Sequence, residues 1–371
     1  MNIHITENKE EKIAIGKSIF EEKTNIYTDN IVKTIRDTID RLHTDNVSLT
    51  KEEMFFLSIY DYWAYGNDIG EEYYLGYWNK THEEKLEYTN LRMKTIYVNH
   101  LNKKEDAHIL NDKYEAYETF KEFYMRDVIK IEAEKDFLKF CDFVEKHPIF
   151  VAKPTGAGLA IGVHKVDVKD YPNIKNLFEE LLNEGRACES RYAWCAVSSM
   201  VLEELIDQVD ELKNIHPYSV NGIRVSTLRQ ENGVKILYPW FKVGSNKGFV
   251  TSAAYGTFDA GIDSDTGVVN THGYLEDGSF CEYHPVTGIK FIGYQIPKWH
   301  ELIETVKKLA MVLPNITYVG WDMVLTPKGW CVMEGNYAGD FMWQMFLQRG
   351  FRKELEEIIG WHFDKHYWWE R

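Results

Sequence analysis

Tyr318-Val-Gly-Trp-Asp-Met-Val-Leu-Thr-Pro-Lys-Gly-Trp-Cys-Val-Met-Glu-Gly-Asn336 reads as two β-strands joined by a turn, and it decides the reading of the whole chain. Pro327-Lys328-Gly329 is a turn signal, and hairpin loops of three residues ending in Gly are common. Thr326 then faces Trp330, and counting away from the turn sets Asp322 directly opposite Glu334. Side chains alternate, so Asn336 falls on the face of Glu334, while Trp321, Met323, Cys331 and Met333 fall on the other. Two carboxylates facing each other across a ladder repel unless a cation or a shared proton lies between them. Oxygen ligands so arranged suit Mg²⁺, which takes one or two carboxylates and completes its shell with water and nucleotide phosphates. The bland alternative is a solvated face with unrelated charges. The apolar opposite face and the Asn argue for the ligand set.

Upstream, His147-Pro-Ile-Phe-Val-Ala-Lys-Pro-Thr-Gly-Ala-Gly-Leu-Ala-Ile-Gly162 holds a Gly-rich loop with Lys153 at its edge. Backbone N–H groups in such a loop can meet phosphates, and the lysine adds a point charge. No Gly-Lys-Ser/Thr follows, so it is not a P-loop, and the third Gly falls one place too late for the dinucleotide fingerprint. Apolar runs on both sides, Ile149 to Ala152 and Leu159 to Val163, predict strand, loop, strand, with the loop a flap or a plain turn at a hairpin tip. His216 to Leu228 alternates like a strand and carries Arg224, a surface charge or, beside a metal-held triphosphate, a clamp on the transferring oxygens. Further β-type runs lie at Met200 to Leu202, Lys235 to Tyr238 and Trp330 to Met333, with helices near Ile174 to Gly185 and Trp299 to Val312.

Residues 1 to about 147 read as helical, as in Lys33 to Leu42. Their aromatic stretches, Tyr60 to Tyr65 and Tyr73 to Trp78, read as inter-helix packing or as a surface for a partner or sugar ring. The chain of 371 residues carries a net charge of −15, which disfavours nucleic acid or an anionic membrane as a partner across the whole surface. Its five cysteines are scattered, with no CxxC pair, so zinc and disulfide frameworks are not expected, and Cys195 and Cys331 read as small apolar fillers. The N-terminus lacks an apolar signal core, and no apolar run is long enough to span a membrane; the expected place is the reduced cytoplasm. Oligomeric state is not legible.

The order of these motifs resembles the ATP-grasp superfamily, in its sugar-transfer associated branch. The resemblance spans roughly Met54 to Gly360. It rests on Asn111-Asp-Lys113, Ala152 to Gly158, Val201-Leu-Glu-Glu-Leu-Ile206, Val220-Asn-Gly-Ile-Arg-Val225, Gly261-Ile-Asp263, His284-Pro-Val-Thr-Gly288, Gly320-Trp-Asp322 and Met333-Glu-Gly-Asn336. It implies an α+β fold whose two subdomains clamp ATP: residues 1–110 a helical region, 111–205 the small subdomain with the flap, and 206–371 the large subdomain with the metal site.

By the same resemblance, Lys113 and Lys153 contact ATP phosphates, and the loop with Gly156 and Gly158 closes over the nucleotide. Glu203, Glu204, Leu205 and Ile206 form the hinge at the adenine. Asp210, ahead of Glu211, holds the ribose, and Arg224 lies at the transferred phosphate. Asp322, Glu334 and Asn336 bind Mg²⁺. One departure is Tyr255-Gly-Thr-Phe, where a Gly pair is the expected form. The implied activity is a ligase that activates a carboxylate as an acyl phosphate for attack by an amine, set in cell-surface polysaccharide or related metabolite biosynthesis. A phosphotransferase acting on a sugar or alcohol is the alternative. Catalysis then falls to Arg224 and Lys153, with His272 or His284 as candidate bases for the amine or as plain loop hydrogen bonds.

Overall fold

The amphipathic segment Trp299–Ala310 shows why the elements form where they do. Trp299, Leu302, Val306, Leu309 and Ala310 recur at helical spacing, and all five are buried. Asn173 caps the helix Ile174–Ala187 by accepting from the Asn176 amide, and Leu177, Phe178, Leu181 and Leu182 form its buried stripe. The computed structural model describes residues 3–41, 48–158, 160–188, 199–246, 248–249, 256–275, 277–339 and 341–363. Cys195, Tyr255 and the tail beyond Phe363 lie outside the described residues.

The chain divides into two compact units: Met1–Tyr97 with Glu276–Ser279 and Asp340–Arg371, and Val98–Leu275 with Phe280–Gly339. The first is helical. Tyr60, Tyr65, Tyr77 and Tyr88 are buried in one cluster, so the aromatic stretches pack helices together. At its centre Lys85 meets Asp61 at 2.7 Å with both side chains 1% exposed. The ammonium also sits 5.1 Å from the Tyr65 ring centre. Burial first, then the Asp61 charge, holds the neighbouring Glu72 carboxyl well above its ordinary value.

The second unit contains two antiparallel sheets. The smaller has four strands in the order β1-β4-β2-β3: β1 Val128–Ile131, β2 Ile149–Pro154, β3 His164–Asp167 and β4 Met200–Glu204. Its Phe150, Ala152, Val166, Met200 and Leu202 pack under the helices Phe137–Lys146 and Ile174–Ala187. The larger has seven strands in the order β11-β10-β5-β6-β7-β8-β9. These are β5 Gly222–Gln230, β6 Gly233–Gly244, β7 Thr257–Gly261, β8 Gly273–Tyr274, β9 Phe280–Cys281, β10 Tyr318–Thr326 and β11 Gly329–Asn336. Trp299–Ala310 and Lys113–Tyr124 cover its core face.

Three sequence readings are corrected. Val128–Ile131 is a strand inside the region read as helical, four residues too short to show a period. Of the run 159–163, Leu159 lies outside the described residues and 160–163 is not a strand: Ala160 and Gly162 adopt positive φ of 59° and 72°, which turns the chain, and β3 begins at His164. The β10–β11 turn has two residues, since Thr326 pairs with Gly329 and Leu325 with Trp330. Cys331 therefore pairs with Val324, and it is Trp330 and Val332 that join Trp321, Met323 and Leu325 in the core.

Candidate functional site

Alternation along the large sheet separates a core face from an open one. Ile223 and Val225, Phe241 and Val243, and Trp321 and Met323 all enter the core, so Arg224, Lys242 and Asp322 between them point the other way. Asp322 pairs in register with Arg224 on one side and Glu334 on the other, and Arg224 pairs with Trp240. Arg224 grips Asp322 with both arms, Nε to Oδ1 at 2.6 Å and Nη2 to Oδ2 at 2.9 Å. Lys242 Nζ lies 3.6 Å from the same Oδ1. Burial works to raise the Asp322 pKa, but Arg224 and Lys242 prevail and hold it down at about 2. The carboxylate is ionised at any working pH.

The glycines of this hairpin have a physical reason. A Cβ on Gly320 would stand 3.2 Å from the Arg224 guanidinium, and one on Gly335 would stand 2.8 Å from the Trp321 ring and 2.9 Å from Leu110. Gly320 lets the arginine lie across the strand, and Gly335 accepts the indole from directly opposite. Asn336 Nδ2 donates to the Gly320 carbonyl at 3.2 Å and to Asp322 Oδ2 at 3.3 Å, which leaves its oxygen as the atom able to ligate.

Lys113 is the first residue of the helix capped by Asp112, which accepts from the Tyr114 and Glu115 amides. Its own amide donates to the Thr155 carbonyl at 3.0 Å. Its ammonium donates to the Ala157 carbonyl and lies 3.8 Å from Glu334 Oε1. Lys113 thus joins the Gly-rich loop, where Gly156 is buried and Gly158 half-buried, to the carboxylate pair.

Lys153 and Glu203 share the face of the small sheet opposite its own core, with Nζ to Oε2 at 2.8 Å. Arg126 meets the same oxygen at 2.8 Å and donates to the Val332 carbonyl of β11 at 2.6 Å. Burial alone would raise the Glu203 pKa; Arg126 and Lys153 hold it down at about 2. Glu204 turns away, its carboxylate accepting from the Asp127 amide at 3.0 Å. Leu205 and Ile206 leave the strand half-buried, and Asp210 stands exposed at the start of the short helix Asp210–Lys213.

The structure thus links Lys113, Lys153, Glu203, Arg224, Asp322, Glu334 and Asn336 through direct contacts or adjacent register, and it does not bring Glu204 or Asp210 into that network. Sequence reasoning missed Lys242 and Arg126. The first was findable, because the alternation Trp240, Lys242 on β6 matches Arg224 on β5; the second sits before a strand too short to notice. His284 is fully buried, with Nε2 on the Gly244 carbonyl at 2.8 Å, a structural histidine.

The donor set fits a hard divalent cation: Asp322, Glu334 and the Asn336 amide oxygen, all on one face of adjacent strands. Five cations, Lys113, Arg126, Lys153, Arg224 and Lys242, surround three carboxylates, Glu203, Asp322 and Glu334. This locally reverses the overall acidity of the chain. Among the described residues no helix is long and apolar enough to cross a membrane.

A sequence profile described as "Sugar-transfer associated ATP-grasp" matches residues 92–359. No curated protein matches significantly. Among solved structures, D-alanyl-alanine synthetase A from Vibrio cholerae is similar at 14% identity and a TM-score of 0.39, over 69% of this chain and 62% of that one. D-alanine–D-alanine ligase from Bacillus anthracis complexed with ATP is similar at 19% and 0.37, over 68% and 61%. N5-carboxyaminoimidazole synthase from Aspergillus clavatus, in complex with ADP and its ribonucleotide, is similar at 9% and 0.40, over 75% and 59%. The chain thus spans about three fifths of the length of these enzymes.

Proposed function

The chain belongs to the sugar-transfer associated ATP-grasp family, and from that premise we propose that it is an ATP- and Mg²⁺-dependent ligase joining a carboxylate to an amine. The observation that carries the reading is the row Glu334, Asp322, Arg224 in direct register, with Lys242 and Lys113 at its two sides. A carboxylate pair alone would repel a triphosphate. Flanked by these cations and able to hold a divalent ion, it becomes a seat for one.

Lys113 and Lys153 neutralise the phosphate chain, and the loop through Gly156 and Gly158 covers it. Leu205 and Ile206 border the base beside Glu203 and Glu204, and Asp210 receives the ribose. Glu203 acts by holding the Lys153 ammonium in place. Bound at Asp322, Glu334 and Asn336, Mg²⁺ supplies charge neutralisation on the phosphate oxygens.

A substrate carboxylate oxygen attacks the γ-phosphorus, and the bond to the bridging oxygen breaks with its electrons leaving on ADP. Arg224 stabilises the charge that develops on the moving phosphoryl oxygens. An amine then attacks the acyl carbon, inorganic phosphate departs with the C–O electron pair, and the amine sheds a proton as the amide forms. Cytoplasmic cell-surface polysaccharide biosynthesis is the setting we assign to it, consistent with the family description.

The test is a matrix of carboxylates and amines scored for ADP, phosphate and amide mass. ADP and phosphate formed only when both substrates are present, together with an amide, supports the reading. A stable phosphorylated sugar or alcohol with no amide replaces it with a phosphotransferase.

A further inference from the structure

The face that carries Arg224 and Lys242 continues across three more strands. Phe258 and Ala260 of β7 enter the core, so Asp259 between them lies on the open face, where it pairs directly with Lys242. Asp259 pairs in turn with Tyr274, and Tyr274 with Phe280. The row Lys242, Asp259, Tyr274, Phe280 is therefore a lateral extension of the catalytic row, since Lys242 also reaches Asp322. Counting about 4.8 Å per strand and about 7 Å for the two-residue step along β6 from Trp240, which shares the row of Asp322, to Lys242, Asp259 stands roughly 16 Å from Asp322 and Phe280 roughly 25 Å. The nearer distance leaves room for a metal, a phosphoryl group and an acyl carbon before an amine is reached.

The outer end is an aromatic platform. His272 stacks on Phe280 with ring centres 5.2 Å apart and planes 17° apart, and Tyr274 lies 5.5 Å from Phe280. Phe280 is 57% exposed, so the platform is open on one side and a ring laid on it keeps its other face in water. An aromatic ligand gains most from a closed slot that dries both faces. A sugar, with one C–H face and hydroxyls all round, suits a one-sided platform.

We propose that this face is the acceptor subsite and that the acceptor is an amino sugar, its ring on Phe280, Tyr274 and His272 and its amine directed toward Asp259. The assignment rests on the ligase reading for its role, but binding is testable without ATP.

Saturation-transfer NMR on the full chain, with D-glucosamine, methyl glucoside and 2-aminoethanol as probes, reads it directly. Transfer to the glucosamine ring protons is expected, with methyl glucoside about tenfold weaker and 2-aminoethanol silent. Phe280→Ala, at an exposed position, weakens both sugars about tenfold while leaving the urea midpoint in place. Asp259→Asn brings glucosamine down to the level of the glucoside.

Unchanged glucosamine binding in Phe280→Ala, no transfer to either sugar, or tighter binding of benzylamine at the same place overturns the proposal. Loss of sugar binding in Phe280→Ala in a protein that never turns over ATP upholds the subsite and sinks the ligase reading instead. Turnover of an amino sugar with a KM that Phe280→Ala does not move has the opposite meaning.

Discussion

Glu334 stands opposite Asp322 because β11 carries one extra residue, Met333, between the pairs Met323–Val332 and Asp322–Glu334. With a two-residue turn and no bulge, Glu334 would face Trp321 and enter the core, and Gly335 would no longer receive the indole. Burying an unpaired carboxylate there is costly, so the sequence resolves the conflict by bulging. The bulge makes the Asp322–Glu334 pair a built feature of the hairpin.

The first prediction concerns that pair. Glu334 is the more informative target, because its side chain is 43% exposed whereas Asp322 neutralises the buried Arg224. Glu334→Gln should lower Mg²⁺-dependent ADP formation by at least about 100-fold with little change in melting temperature. Asp322→Asn should do the same and also destabilise. ADP formation that keeps its rate and its Mg²⁺ dependence in Glu334→Gln removes this carboxylate from the metal site.

The second prediction isolates the glycine opposite Trp321. Gly335→Ala places a methyl group 2.8 Å from the indole and 2.9 Å from Leu110, closer than real carbons approach. A loss of about 1–3 kcal/mol is expected, read as a lower urea midpoint. An unchanged midpoint would mean that the ring has free room to shift.

These two cases show what the sequence made legible. The Asp322–Glu334 pairing was readable although the loop was taken as one residue too long, because the bulge compensates the shorter turn. The price was a misplaced Cys331, put with the core when it lies across from Val324. Lys153 and Lys113 stood out as motif lysines, yet nothing local announces that Glu203 holds the first of them, or that Arg126 in turn grips Glu203. That contact joins residues 77 positions apart. Long-range partners of a charge leave no period in the chain. The second strand of the flap was misplaced for a related reason: β2 and β3 pair as the expected hairpin, but positive φ at Ala160 and Gly162 turns the apolar run, and β3 begins only at His164.

The third prediction lies in the helical unit. Glu72 is buried, and loss of hydration first and then the Asp61 charge raise its folded pKa well above the ordinary 4.5. The native state then binds the extra proton, and the stability this group contributes declines as pH rises above the ordinary value. Glu72→Gln keeps the neutral state. It should match the wild type near pH 4 and surpass it at pH 8 in melting temperature, with Glu71, raised to about 7 by burial and then by Asp68, leaving a residual slope. A variant less stable than wild type at pH 8 would show that the carboxylate is ionised and paired.

The fourth prediction takes the opposite sign. Glu203 and Asp322 are both held at about 2, below ordinary values of 4.5 and 3.8, so the unfolded chain binds more protons than the native one across that window. Their contribution is fully present above about pH 5 and is lost as pH falls toward 2. Glu203→Gln removes one share of this slope but leaves the buried Arg126 and the half-buried Lys153 without their counter-charge, at a cost of about 3–5 kcal/mol. Urea midpoints measured from pH 5 to pH 2 should therefore be lower for the variant at pH 5 and converge with the wild type toward pH 2, the remaining slope belonging to Asp322. Parallel curves would mean that Glu203 titrates normally in the folded protein and that Lys153 is held by something else.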